Sequence, residues 1–183
     1  MSVIEFILVA HAIVVGLAVA EILRGVADTV RAQQVRVSYR LMLIAGWTLL
    51  LLWQFWWLVW QLGDRSEWAF PEFLAFLLPV AILYVISRLC FPQEIEGSDL
   101  REYFQRVAPL IFLLIAATYA AFALIMQPVI FGGIVPFVFA SQLALAFLAL
   151  LARRYTAPAF HFLVIAAMFA QVIWRGLSST VGS

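Results

Sequence analysis

The sequence contains no lysine, and this absence limits its chemistry. All 11 basic residues are arginines. A Schiff base requires a lysine amine, so covalent retinal and pyridoxal phosphate chemistry are excluded. The single cysteine, Cys90, cannot form a disulfide within the chain. Lysine-dependent cofactors and an internal disulfide framework are therefore excluded.

Charge of either sign is scarce along the chain. Only 11% of the 183 residues are charged, whereas a typical soluble domain has about a quarter. The net charge of +1 provides no basic surface, so no nucleic-acid partner is expected. Hydrophobic residues make up 66% of the chain, and the mean hydropathy is +1.06. This composition predicts an integral membrane protein.

Six apolar runs are long enough to cross a bilayer, which requires about 20 residues each. The first run follows no basic residue, unlike a secretory signal, and is expected to be a retained span. Asp99 with Glu102 three residues later is expected to form a capping box, so that the fourth helix begins near Leu100. The sequence predicts one all-α domain over residues 1–183, a bundle with transmembrane helices at about 3–23, 41–61, 72–89, 107–127, 136–152 and 157–174.

The arginines alternate between the segments that connect these spans. Two, Arg65 and Arg175, lie in one set of segments, and the other nine lie in the alternate set. Short arginine-rich connections remain in the cytoplasm, so both termini are predicted on the non-cytoplasmic side. Arginine-only usage is typical of a GC-rich bacterial genome, which indicates a bacterial inner membrane protein.

Small residues recur every fourth position in the first span, at Ala12, Gly16 and Ala20. Small side chains allow helix backbones to approach closely in lipid. The pattern predicts either packing inside the bundle or an oligomer contact. In both cases Gly16 is expected at a close helix contact.

Tryptophans crowd one half of the second span, at Trp53, Trp56, Trp57 and Trp60. Trp60 fits the belt of aromatic residues at a membrane interface, whereas Trp53 lies deeper. These side chains either face lipid and fill the core, or form an aromatic wall for a ligand or a partner helix.

A set of polar residues is predicted in the outer half of the bilayer. Polar groups at this depth are costly, so each is a candidate for function. They would form either a shared cavity, with His11 near Gln54 or Gln142 and an ion pair at the rim, or isolated hydrogen bonds between helices. The set comprises Glu5, His11, Gln54, Gln142, Gln171 and Arg175.

A second set of charged residues is predicted at the inner edge of the membrane. Glu21, Arg24 and Asp28 are spaced three or four residues apart on one helix face, and Arg88 ends the third span. These residues predict a salt-bridge network, and Arg153 and His161 fall at the same edge. The alternative is that the nine inner arginines bind anionic lipid headgroups.

Metal and haem binding are not expected. Only two histidines are present, and at about 1.5 Å per residue His11 and His161 differ in depth by roughly 12 Å. They cannot both ligate one haem iron, and a zinc site would need further ligands at compact spacing. No aspartate falls within a predicted span, so an intramembrane aspartyl protease is not expected either.

The sequence therefore favours a small non-enzymatic membrane protein that acts through contacts with helices and lipids. It would form an oligomer with itself or serve as an accessory subunit for a partner membrane protein, without a cofactor. The first alternative is a transporter or channel for protons or a small solute, using the outer polar set. A weaker alternative is a membrane enzyme that uses Glu5, His11 or Glu21.

Overall fold

The chain folds into six helices in a computed structural model that describes residues 3–32, 35–61, 69–95, 97–127 and 135–178. Five helices are long and apolar enough to cross a membrane, and the sixth contains a shorter apolar stretch, Pro158–Trp174. The protein is therefore an all-α membrane bundle, which confirms the predicted fold class. The helices are α1 (Val3–Arg31), α2 (Tyr39–Gln61), α3 (Phe70–Leu89), α4 (Leu100–Ala121), α5 (Pro136–Arg154) and α6 (Pro158–Ser178).

Local chemistry explains where several helices begin. The Asp99 carboxylate accepts hydrogen bonds from the backbone N–H groups of Arg101 at 2.8 Å and Glu102 at 3.3 Å. Asp99 thus supplies the side-chain cap of the box predicted at the start of the fourth helix. Pro136 and Pro158 open α5 and α6, where the missing N–H group of proline has no helical partner to lose. The π-helical turn Phe122–Met126 extends α4.

The first helix is longer than its predicted membrane span. It has 29 residues, which corresponds to about 43 Å and exceeds a hydrocarbon core of about 30 Å. Within the bundle, α1 packs against α2 and α3, α4 packs between α3 and α5, and α6 packs against α2 and α5. The largest fully buried side chains are aromatic and include Trp47, Phe55, Phe76, Phe104 and Phe112.

The α1–α2 and α3–α4 connections are joined at one end of the bundle. Arg36 forms a parallel β-bridge with Asp99, in which the Leu100 N–H donates to the Arg36 carbonyl at 3.1 Å. Gly97 precedes the bridge with a φ of 70°, a conformation that favours glycine. Contacts described below place the α5–α6 connection at the same end. We call it the arginine-rich end; its assignment to the cytoplasm stays a prediction.

Candidate functional site

A charge network links α1 to α3 at the arginine-rich end. Glu21 accepts from Arg88 at 2.8 Å and from Arg24 at 2.9 Å, and Arg24 also donates to Asp28 at 3.1 Å. The structure thus brings together all four residues predicted as the inner-edge network. Both arginines are more than two-fifths exposed, so each pair stabilises the fold by only about 0–1 kcal/mol. The main consequence of the network is local charge neutralisation.

The predicted close contact at Gly16 is wrong within the chain. Gly16 faces outward, and a Cβ atom placed on it would meet nothing within 4 Å. Ala20 is also exposed and Ala12 is half-buried, so this stripe does not pack inside the bundle. The close approach occurs instead at Gly25, where an added Cβ would overlap the buried ring of Phe91. The close backbone contact is thus on α1, as the repeat of small residues predicted, but on a different face of the helix from Gly16.

The outer polar residues are distributed over separate helix contacts. The Gln54 amide donates to the Val172 carbonyl at 2.6 Å and joins α2 to α6. The Gln127 amide donates to Gln142 at 3.3 Å and joins the end of α4 to α5. The structure therefore favours isolated hydrogen bonds between helices over a shared cavity.

His11 points into the bundle, as expected, but its neighbour is different. Its ring lies against Trp56 of α2, with centroids 6.5 Å apart. Gln54 lies two residues from Trp56, which places it on roughly the opposite side of α2. Neither ring nitrogen of His11 has a hydrogen-bond partner among the described residues. The expected contact with Gln54 or Gln142 is not observed.

The remaining outer residues do not complete a site. Gln171 is buried, and its side-chain amide has no hydrogen-bond partner within the described part of the chain. Glu5 is exposed at the start of α1. The side chain of Arg175 lies outside the described residues, and so does the predicted ion pair between these two residues.

The tryptophans of α2 face mainly outward. Trp53, Trp57 and Trp60 are all more than half exposed, whereas Trp56 is partly buried against His11. Their spacing of four and three residues places the three exposed rings on one helix face. This arrangement matches the lipid-facing alternative. The buried Trp47, which the sequence did not distinguish, packs against Tyr119 of α4.

Arg40 and His161 form a second polar contact at the arginine-rich end. The Arg40 guanidinium lies over the Phe104 ring at 4.4 Å from its centroid, in a cation–π arrangement. One of its nitrogens lies 3.2 Å from His161 Nδ1, and His161 Nε2 lies 3.0 Å from the Ala152 carbonyl oxygen. This contact joins the first turns of α2 and α6 to the last turn of α5.

The hydrogen bonds determine the protonation of His161. A guanidinium group can only donate, so Nδ1 must accept from Arg40. Nε2 must then carry the proton, because the Ala152 carbonyl can only accept. His161 is therefore neutral in this arrangement, and the positive charge at the contact belongs to Arg40.

A cavity of about 370 Å³ opens beside this contact. Its charged lining residues are Arg40 and Arg153, and the uncharged ones include Phe104, Pro109, Thr156 and His161. Among the described residues that line it, none is a carboxylate. A second cavity, of about 500 Å³, differs in charge because Asp28 and Glu94 line it together with Arg31.

Arg153 and His161 were predicted at this edge, but the contact of His161 with Arg40 and Phe104 was not predicted. The predicted spans indicated that the two residues have similar depth, because Arg40 immediately precedes the second span and His161 lies near the start of the sixth. Their lateral proximity depends on α2 packing beside α6, which hydropathy does not encode.

Comparisons with protein-family models, curated proteins and solved structures found no significant match for this chain.

Proposed function

We propose that the protein acts without catalysis, through contacts with lipid and with a neighbouring helix, and that its arginine-rich end engages anionic headgroups. The proposal depends on how the charges are paired. Arg24, Arg36 and Arg88 form ion pairs with carboxylates. Among the described residues, no carboxylate forms an ion pair with the other arginines of this end: Arg31, Arg40, Arg101, Arg106, Arg153 and Arg154.

The unpaired arginines lie where a membrane surface would meet them. Except for Arg31, they belong to α2, α4 and α5 within about two turns of the helix ends. A basic residue near an anionic membrane surface contributes about 1 kcal/mol of attraction. The carboxylates that would oppose this attraction are partly occupied, because Glu21, Asp28 and Asp99 already pair with arginines. Among the described residues, six arginines of this end therefore remain outside the ion pairs with carboxylates.

Lipid selectivity tests this part of the proposal. The protein would be placed in vesicles of phosphatidylglycerol and phosphatidylcholine, and the lipids retained after extraction into native-lipid discs would be counted. We expect phosphatidylglycerol to be enriched over the bulk ratio, and high salt to weaken this enrichment by screening. Retained lipids with the bulk ratio at low salt would contradict the proposal.

The helix contact is assigned to the outward face of α1 and to a second copy of the chain. Val9, Ile13 and Leu17 are exposed on this helix, and the open space at Gly16 would allow another backbone to approach. Ile13→Cys should form disulfide-linked dimers in membranes, with Leu163→Cys on α6 as the matched exposed control. Equal, low cross-linking of both variants would show that α1 meets only lipid.

The transport alternative required a shared outer cavity. The division of Gln54, Gln142 and His11 among separate contacts removes the observation that motivated it. We therefore do not propose transport.

A further inference from the structure

We propose that the cavity beside Arg40, Arg153 and His161 is a binding site for the phosphate group of an anionic phospholipid. The inference rests on the proposed lipid contact and assigns it to one place. The cavity lies between the first turns of α2 and α6 and the last turn of α5, with α4 as a further wall. A membrane phosphate would meet the protein at this level, where the predicted spans end.

Arg40 is held in position for an anion. Its guanidinium stacks on Phe104 and donates one hydrogen bond to His161. A guanidinium carries five N–H donors in a planar arrangement, so most of them remain for another acceptor. Arginine with two parallel donors matches the oxygens of a phosphate group. The half-buried side chain thus combines a fixed orientation with unused donors.

His161 fixes Arg40 without adding charge. Its ring is buried between Phe104, at 5.6 Å between centroids, and Phe112, at 4.8 Å. The Ala152 carbonyl occupies Nε2, so Nδ1 faces the guanidinium as an acceptor. The attraction for an anion therefore comes from Arg40 and Arg153.

Among the described residues, no carboxylate lines the cavity beside Arg40 and Arg153. Arg101 adds a further positive charge near Arg40, and Asp99 partly offsets it. An anion in the cavity would lie beside both Arg40 and Arg153. The first turn of α6 also contributes, since Pro158 lines the cavity and helix N-termini favour negative charge. The 500 Å³ cavity lacks this property because Asp28 and Glu94 line it.

The walls suit a lipid better than a free ion. Ala108, Pro109 and Pro158 provide apolar surface beside the two arginines. A phospholipid would place its phosphate at the guanidinium groups and its glycerol and acyl carbons along these residues. Free phosphate would use only the charged part of the cavity.

Adjacent arginines provide a matched pair of variants. Arg153 lines the cavity and Arg154 does not, although both are exposed and each change to glutamine removes one charge. Native mass spectrometry of delipidated protein titrated with phosphatidylglycerol would measure the affinity. We expect Arg40→Gln and Arg153→Gln to lower the affinity about tenfold or more, and Arg154→Gln to leave it nearly unchanged. Because Arg153 is exposed, its variant remains informative even if Arg40→Gln fails to fold.

The outcomes separate this site from the general proposal. If the wild type prefers phosphatidylglycerol, but Arg40→Gln, Arg153→Gln and Arg154→Gln all bind it with the same affinity, the site is refuted and the lipid-binding function remains. No preference over phosphatidylcholine in the wild type would refute both. Inorganic phosphate that binds as tightly as phosphatidylglycerol, with the same loss in Arg40→Gln and Arg153→Gln, would retain the anion site but refute a preference for lipid.

Discussion

Gly25 offers the sharpest test of the helix packing. In Gly25→Ala, the new Cβ would lie 2.7 Å from Phe91 Cδ1 and closer still to two other ring carbons. Carbon atoms pack best at about 3.5–4.0 Å, so the ring or the helix must move by about 1–2 Å. Overpacking of this kind costs about 1–3 kcal/mol. It opposes the gain of up to about 1 kcal/mol from replacing glycine with alanine inside a helix.

Gly16→Ala is the matched control for the chain in its monomeric form, because it carries the same helix-propensity gain on the same helix without a steric cost within the chain. Gly16→Ala should therefore exceed Gly25→Ala in stability by about 1–3 kcal/mol, the overpacking cost alone. Thermal unfolding in mild detergent, followed by far-ultraviolet circular dichroism, measures the difference. Adding Phe91→Leu should reduce the penalty at Gly25. Equal stability of the two alanine variants would refute the contact between α1 and the α3–α4 connection.

Three further predictions follow from buried or capping groups. Burial raises the pKa of the Cys90 thiol to about 12, so a maleimide should label Cys90 only after denaturation; labelling of the folded protein would contradict its burial. The pKa of Asp99 is lowered by hydrogen bonds from the Arg101 and Glu102 backbones and by Arg36. The contribution of Asp99 to stability is therefore present above about pH 4 and is lost as the pH falls through the lowered pKa. Asp99→Asn should flatten this acid dependence of stability, and an unchanged profile would count against the cap. His11→Leu should leave stability unchanged or raise it in thermal unfolding, because both ring nitrogens are buried without partners among the described residues; a clear loss of stability would show that His11 has a partner.

The parts of the fold that depend on chain composition were predictable. Apolar runs of about 20 residues define the helices, and the spacing of Glu21, Arg24 and Asp28 defines contacts along one helix. The cap at Asp99 was also readable, because its signal is local. The ion pairs and the cap depend on neighbours within four residues, and each apolar run is one continuous stretch of the chain.

Contacts between helices were harder to predict, for a physical reason. Lipid is as apolar as leucine, so hydrophobicity does not identify which face of a membrane helix points inward. Gly16 and Gly25 look alike in the sequence, yet only Gly25 lies against another segment. Similar depth in the membrane also did not predict contacts between the outer polar residues, because His11 and Gln54 lie on different sides of α2. Similar depth does not imply a shared site.

The contacts at the arginine-rich end also determine when the helices can pack together during synthesis. The partner of Glu21 on α3 lies 67 residues later in the chain, and the partner of Arg40 on α6 lies 121 residues later. At about 5–20 residues per second, a ribosome needs roughly 6–24 s to make the longer stretch. During that time α1 can already pack against α2 and α3, but the Arg40–His161 contact cannot form. The packing of α2 against α6 must therefore wait until α6 has been made.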